Sequence, residues 1–76
     1  MFVRVTLSTG DILKVECSRF DTIAEICEKV VQMANLGDIP RDRMFFFYKG
    51  KRLESGKALS DYDIQDGEGI TVMMPQ

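Results

Sequence analysis

The spacing of the hydrophobic residues changes once along this chain, and that change restricts the folds open to it. Residues 1–7 and 12–17 alternate apolar and polar side chains, the pattern of a β-strand with one buried face. In residues 23–34 the apolar positions recur every three or four residues instead, the pattern of an amphipathic helix. Two strands and a helix of this kind can bury their apolar faces only against each other.

The residues between these segments favour the same interpretation. Gly10 separates the two alternating segments, where a short hairpin turn needs positive φ. Thr22 and Glu25 have the capping-box pattern of a helix start. Beyond the helix, Gly37 suits a left-handed cap and Pro40 cannot continue the helix. We therefore predict a β-hairpin followed by one helix.

A third strand is predicted in residues 44–50, Met-Phe-Phe-Phe-Tyr-Lys-Gly. Because side chains alternate along a strand, Met44, Phe46 and Tyr48 share one face and Phe45 and Phe47 share the other. A small single-layer sheet buries only one face under its helix. We therefore expect Phe45 and Phe47 to point outward, as part of a binding surface. The alternative is a strand buried on both faces, which is more typical of a larger α/β protein.

The rest of the chain predicts one further full strand. Residues 51–54 allow at most a brief edge strand, and residues 55–65 read as a compact loop with one helical turn. Residues 70–74 alternate again, with Ile70, Val72 and Met74 on one face and Thr71 and Met73 on the other. The predicted order is β-β-α-β-β. This is an α+β fold in which a sheet of four to five strands packs on one helix.

Length, charge and composition exclude several classes of function. The 76 residues have room for one domain, and their net charge of −2 gives no general attraction to nucleic acid or to an anionic membrane. No apolar run approaches the ~20 residues of a membrane span. Without histidine there is no Ser–His or Cys–His arrangement, and the scattered glycines form no phosphate-binding motif. We expect a protein that is not an enzyme and needs no cofactor or metal.

The charged residues leave one alternative open. Aromatic residues interleaved with basic ones can bind single-stranded nucleic acid. Asp42 and Glu54 dilute this positive charge, so protein binding is the stronger prediction. The acidic residues in 61–68 are expected to be a solvated face. The basic residues around the third strand are Arg41, Arg43, Lys49, Lys51, Arg52 and Lys57.

Cys17 and Cys27 are the only cysteines. The first residues do not resemble a secretory signal, so two buried free thiols in a reducing compartment are expected rather than a disulfide or a metal pair. This favours the cytoplasm, the nucleus or both. We also expect the protein to be a monomer.

Several segments resemble the ubiquitin family. Residues 49–65, KGKRLESGKALSDYDIQ, are very similar to the corresponding family segment, and LSDYDIQ is almost identical to it. Residues 21–23, Ile39–Pro40 and Asp42 also match. The resemblance covers the whole chain and implies the β-grasp fold, in which a mixed sheet packs on one helix and the first and last strands are central. It also implies that the Tyr62 hydroxyl bonds the backbone near Glu54.

The last residues differ from those of the family's modifiers. Conjugation requires an extended tail ending in two glycines, whereas residues 72–76 read Val-Met-Met-Pro-Gln. The resemblance therefore implies a non-conjugating, integral domain, similar to those of proteasome shuttle factors, which also end in a hydrophobic strand followed by proline. A long connection between helix and third strand is a further likeness to those domains.

The family's binding surface can be transferred to this chain residue by residue. Partner helices and small modules dock on a patch of three positions, which correspond to Phe47, Met73 and Ser8, so one corner is polar. Phe45 replaces an arginine and extends the patch, while Lys49 is placed to pair with acidic residues of a partner helix. The expected partners are proteasomal ubiquitin receptors or ubiquitin-interacting helices. The predicted binding residues are Phe45, Phe47, Met73, Lys49, Thr71 and Ser8.

Two other functions remain open. One is a modifier whose C-terminal glycines lie outside these 76 residues. The other is a β-grasp domain that binds a small GTPase by pairing an edge strand, although the second strand carries no basic edge.

Overall fold

Five β-strands and one α-helix make up this computed structural model, which describes residues 1–74. Short 3-10 helices lie at Arg41–Arg43 and Leu59–Tyr62. Pro75 and Gln76, on which the prediction of a non-conjugating tail depends, lie outside the described residues. In chain order the main elements are β1 (Phe2–Thr6), β2 (Ile12–Glu16), α1 (Ile23–Ala34), β3 (Phe45–Tyr48), β4 (Lys51–Arg52) and β5 (Gly69–Met73).

The strands form one mixed sheet in the order β2-β1-β5-β3-β4. β1 and β5 run parallel, and the other neighbouring pairs run antiparallel. The first and last strands therefore lie inside the sheet, while the hairpin strand β2 and the very short β4 form its edges. The prediction of an α+β fold with a mixed sheet packed on one helix is confirmed.

The core lies between one face of the sheet and α1, as the two spacings predict. Val3, Val5 and Val72 are fully buried, and so are Ile26 and Val30 on the helix. No polar or charged side chain of residues 1–74 is buried with them. The core is therefore held together by apolar packing, with one weak contact between Cys27 Sγ and Met44 Sδ at 3.8 Å inside it.

The two ends of α1 differ in how well the sequence predicts them. At the start, the Glu25 amide donates to Thr22 Oγ1 at 3.2 Å, as predicted. The Thr22 hydroxyl lies 3.3 Å from Glu25 Oε1, so this carboxylate binds the hydroxyl. At the other end, Asn35 takes the left-handed conformation with φ 58°. The prediction that Gly37 caps the helix is wrong, because Asn35 tolerates that conformation and ends the helix earlier.

The margin of the core confirms one expected contact and corrects another. The Glu54 amide donates to the Tyr62 hydroxyl at 2.7 Å, as predicted. Both cysteines are free thiols, but only Cys27 is buried, whereas Cys17 is half-buried just after β2. Desolvation raises the pKa of each thiol.

Within residues 1–74, no helix combines the length and the apolar character needed to cross a membrane.

Candidate interaction surface

The pairing of β3 with β5 decides which side chains face away from the helix. Phe46 lies opposite Val72, and their exposed fractions are 2% and 0%. This pair therefore belongs to the core. Since side chains alternate along both strands, the neighbouring pairs on the outer face are Phe45 with Met73 and Phe47 with Thr71.

The outer pairs are accessible to different degrees. Met73 is 52% exposed, while Phe45 and Phe47 are half-buried. Strand β4 shields both phenylalanines in part from water. The Arg52 guanidinium lies 4.4 Å from the centre of the Phe45 ring, and Arg52 is also the cross-strand neighbour of Phe47. The aromatic side chains thus point outward, as parity predicts, but an arginine stacks over one of them.

Two shallow depressions flank these residues. One has a volume of about 390 Å³ and includes Phe47, Lys49 and Thr71 in its lining. The other, of about 370 Å³, includes Arg43 and Phe45. Met73 lines both, so the depressions form one continuous surface. We call this surface the aromatic face and define it as Phe45, Phe47 and Met73 with the bordering residues Arg43, Lys49, Arg52 and Thr71.

The border of the aromatic face is positively charged. Lys49 Nζ lies 4.0 Å from Glu68 Oε1, and both side chains remain in contact with water. Among residues 1–74, no salt bridge involves Arg43 or Arg52. The pKa of Lys49 is raised by the adjacent Tyr48 hydroxyl and further by Glu68, so its ammonium group stays charged. The border is therefore suited to acidic groups of a partner.

A hydrogen-bonded contact fixes one end of this border. The Tyr48 hydroxyl donates to the Glu68 carboxylate, which also accepts the Gln65 amide at 2.9 Å. The Gln65 amide and then the Tyr48 hydroxyl lower the pKa of Glu68, while the same contact raises the pKa of Tyr48. This contact links the end of β3 to the turn before β5. It lies next to Lys49, whose φ angle is 51°.

The structure brings most of the predicted binding residues together. Five of them belong to the aromatic face. Ser8 is exposed in the turn between β1 and β2 and lines neither depression, so its part in binding stays a prediction. The five are Phe45, Phe47, Met73, Lys49 and Thr71.

Sequence reasoning missed Arg43 and Arg52 as members of this surface. It placed them only among basic residues near the third strand, because a two-residue strand such as β4 gives no periodic signal from which its register can be read. Ile12 lies at the start of β2, on the side away from the core, and is not among the predicted binding residues. Its exposure of 62% makes it an apolar residue on a polar side, which is a readable signal.

The acidic segment is only in part the solvated face that the sequence predicts. Asp61 accepts the Ala58 amide at 2.8 Å, and Asp66 accepts the Phe2 amide at 2.9 Å. Together with Glu68, these carboxylates hold turns in place. Within residues 1–74, no three side chains of Cys, Asp or Glu are grouped as metal ligands would be.

Comparison with known proteins gives one match that spans the sequence. The model of the ubiquitin family matches residues 1–76. The match includes the strands that carry the aromatic face as well as the segment of residues 49–65.

Proposed function

Because the chain belongs to the ubiquitin family, we propose that it is a non-catalytic protein-interaction domain that binds its partners through the aromatic face. The observation that carries this proposal is the clustering of Phe45, Phe47 and Met73 on the outer face by the β3–β5 pairing. A group of large apolar side chains outside the core, rimmed by polar residues, is typical of a docking surface.

The chemistry of this surface indicates the kind of partner. The apolar centre suits the apolar stripe of an amphipathic helix, and Arg43, Lys49 and Arg52 suit acidic residues beside that stripe. Ubiquitin-interacting helices and the ubiquitin receptors of the proteasome are the partners that we propose. The protein would meet them as a monomer in the cytoplasm, the nucleus or both.

The proposal also makes the chain a docking domain rather than a modifier. Binding through the aromatic face depends on side chains of the sheet and requires no reaction at a C-terminal carboxylate. The 76-residue protein carries Pro75 and Gln76 where conjugation requires two glycines, so its incubation with ubiquitin-activating enzyme and ATP is expected to give no thioester. A covalent adduct through its C terminus would contradict this part of the proposal.

A titration maps the surface directly. The ¹⁵N-labelled protein is titrated with a peptide that contains a ubiquitin-interacting helix. Amide resonances of residues 43–49, 52 and 69–74 should shift, while those on the solvent side of α1 should not. Shifts confined to α1, or no shifts at all, would contradict binding through the aromatic face.

A further inference from the structure

A second apolar surface lies between the β1–β2 turn and the C-terminal end of α1. It is a groove of about 460 Å³, which we call the hairpin groove. Ile12 and Met33 on its walls are 62% and 52% exposed. They are two of the four large apolar side chains that residues 1–74 expose to this extent. The apolar lining residues are Leu7, Ile12, Leu13, Met33, Leu36 and Met74, together with Ala34, the last residue of α1.

Neither Ile12 nor Met33 is exposed through a failure of core packing. Ile12 lies opposite Thr6 at the start of edge strand β2, on the side away from the core, whereas Leu13 faces inward opposite Val5. Met33 lies in the last turn of α1, beside the buried helix stripe. The fold therefore does not need an apolar residue at either position, which makes their proximity in one groove informative.

The charge of the groove is opposite to that of the aromatic face. Its lining includes the carboxylate of Asp11 and no lysine or arginine. Asp11 Oδ2 accepts the Thr9 hydroxyl at 3.1 Å, and no salt bridge in the described chain involves Asp11. The last turn of α1 carries no basic residue, so nothing within it offsets the partial negative charge of the terminal carbonyls.

We propose that the hairpin groove is a second docking site, for a partner segment in which a large apolar side chain stands next to lysine or arginine. The apolar side chain packs between Ile12 and Met33. The cation pairs with Asp11 and lies near the terminal carbonyls of α1. Met74 lines both this groove and the depression beside Phe45, so the two sites adjoin at the end of β5 and differ in their charged residues.

The test begins with short random peptides displayed on phage, selected on the Phe47→Ala protein so that the aromatic face contributes little. The enriched peptides should carry an apolar residue next to lysine or arginine. One such peptide is synthesised with a fluorescent label, and its Kd is measured by anisotropy. Phe47→Ala and wild-type protein should bind it equally, which keeps this result separate from the proposed function.

Substitutions then locate the site. Ile12→Ser and Met33→Ser should each weaken peptide binding about tenfold, as expected when a groove loses an anchor contact. Asp11→Asn should weaken it about threefold, and less in high salt, because exposed charge pairs are screened. Phe20→Ser is the matched control, since Phe20 is 67% exposed and lies outside the groove. It should leave the Kd unchanged.

Several outcomes would overturn the proposal. They are a failure to enrich any peptide, enrichment of acidic peptides, and a Kd unaffected by Ile12→Ser and Met33→Ser. Self-association of the protein that Ile12→Ser abolishes would also overturn it, because the groove would then take a second copy of the chain.

Discussion

Phe46 and Phe47 are neighbours of the same residue type in opposite environments. Phe46 is 2% exposed in the core, so Phe46→Ala should leave a cavity and destabilise the protein by about 3–5 kcal/mol. Phe47 is half-buried on the outer face, and Phe47→Ala should lower the free energy of unfolding by only about 1 kcal/mol. Urea unfolding of the two variants measures both values. A reversed order would mean that the strand register is shifted by one residue.

The sequence predicts the direction of these side chains but not how much of each is covered. Alternation along one strand sends Phe45 and Phe47 outward whatever the rest of the sheet does. The stacking of Arg52 on Phe45 depends on the pairing of β3 with β4. That pairing is set by the turn at Lys49 and Gly50, both at positive φ, and not by any local hydrophobic period.

Tyr62 provides a second test at the scale of single residues. Its hydroxyl accepts the Glu54 amide at 2.7 Å and holds the loop before the second 3-10 helix. Tyr62→Phe removes this acceptor and should destabilise the protein by about 1 kcal/mol. The lower end of the usual range applies because Glu54 is exposed, so water can replace part of the lost bond. Thermal unfolding measures the effect, and an unchanged Tm would show that the bond does not contribute.

Among the elements, α1 is predicted well by its spacing and less well at its end. The three- and four-residue period and Thr22 locate the start of the helix, because both signals lie within the helix itself. The choice between Asn35 and Gly37 as the left-handed residue depends on where Leu36 and Ile39 reach the core margin. Local preference favours glycine there, and tertiary packing overrides it.

The contact between β3 and the turn before β5 makes stability depend on pH. Hydrogen bonds from Gln65 and Tyr48 hold the pKa of Glu68 below its ordinary 4.5, so the folded protein binds this proton less tightly than the unfolded chain. The stabilisation is present above about pH 5 and is lost as the pH falls through the folded-state pKa. Asp21, whose pKa is lowered by the Ser18 amide and Lys29, adds to this loss.

Replacing Glu68 tests that dependence. Glu68→Gln keeps an oxygen acceptor but removes the titrating group, so the variant should lose less Tm than wild type between about pH 6 and pH 3. Glu54→Gln is the control, at an exposed side chain that accepts no hydrogen bond in the described chain. Its Tm should follow that of wild type. A Glu68→Gln protein as acid-sensitive as wild type would show that this contact does not account for the pH dependence.

At the scale of the whole molecule, the order of the strands is the feature that spacing cannot supply. Alternation predicts where the strands lie, but the central placement of β1 and β5 depends on pairings between residues far apart in sequence. The likeness to the ubiquitin family provided that order. The same likeness predicted that Phe45 and Met73 lie in one surface patch, although β3 and β5 are far apart in the sequence.

The assembled molecule presents two surfaces of opposite character. The aromatic face is bordered by Arg43, Lys49 and by Arg52, which stacks over Phe45, and the hairpin groove is bordered by Asp11. Ile12, Met33 and Met73 on these surfaces are each more than half exposed, so they are not needed for folding in the way that Val5 or Phe46 is. A domain of this kind can change partners through surface substitutions while its core stays the same.

The central claim is that the aromatic face binds a partner helix, and calorimetric titration with a ubiquitin-interacting helix peptide tests it most directly. Phe47→Ala should raise the Kd about thirtyfold, the loss of roughly 2 kcal/mol expected for a central aromatic anchor. Phe45→Ala and Met73→Ala should raise it less, and Phe20→Ala, an exposed aromatic elsewhere, should leave it unchanged. A folded Phe47→Ala protein that binds the peptide as tightly as wild type would contradict the account.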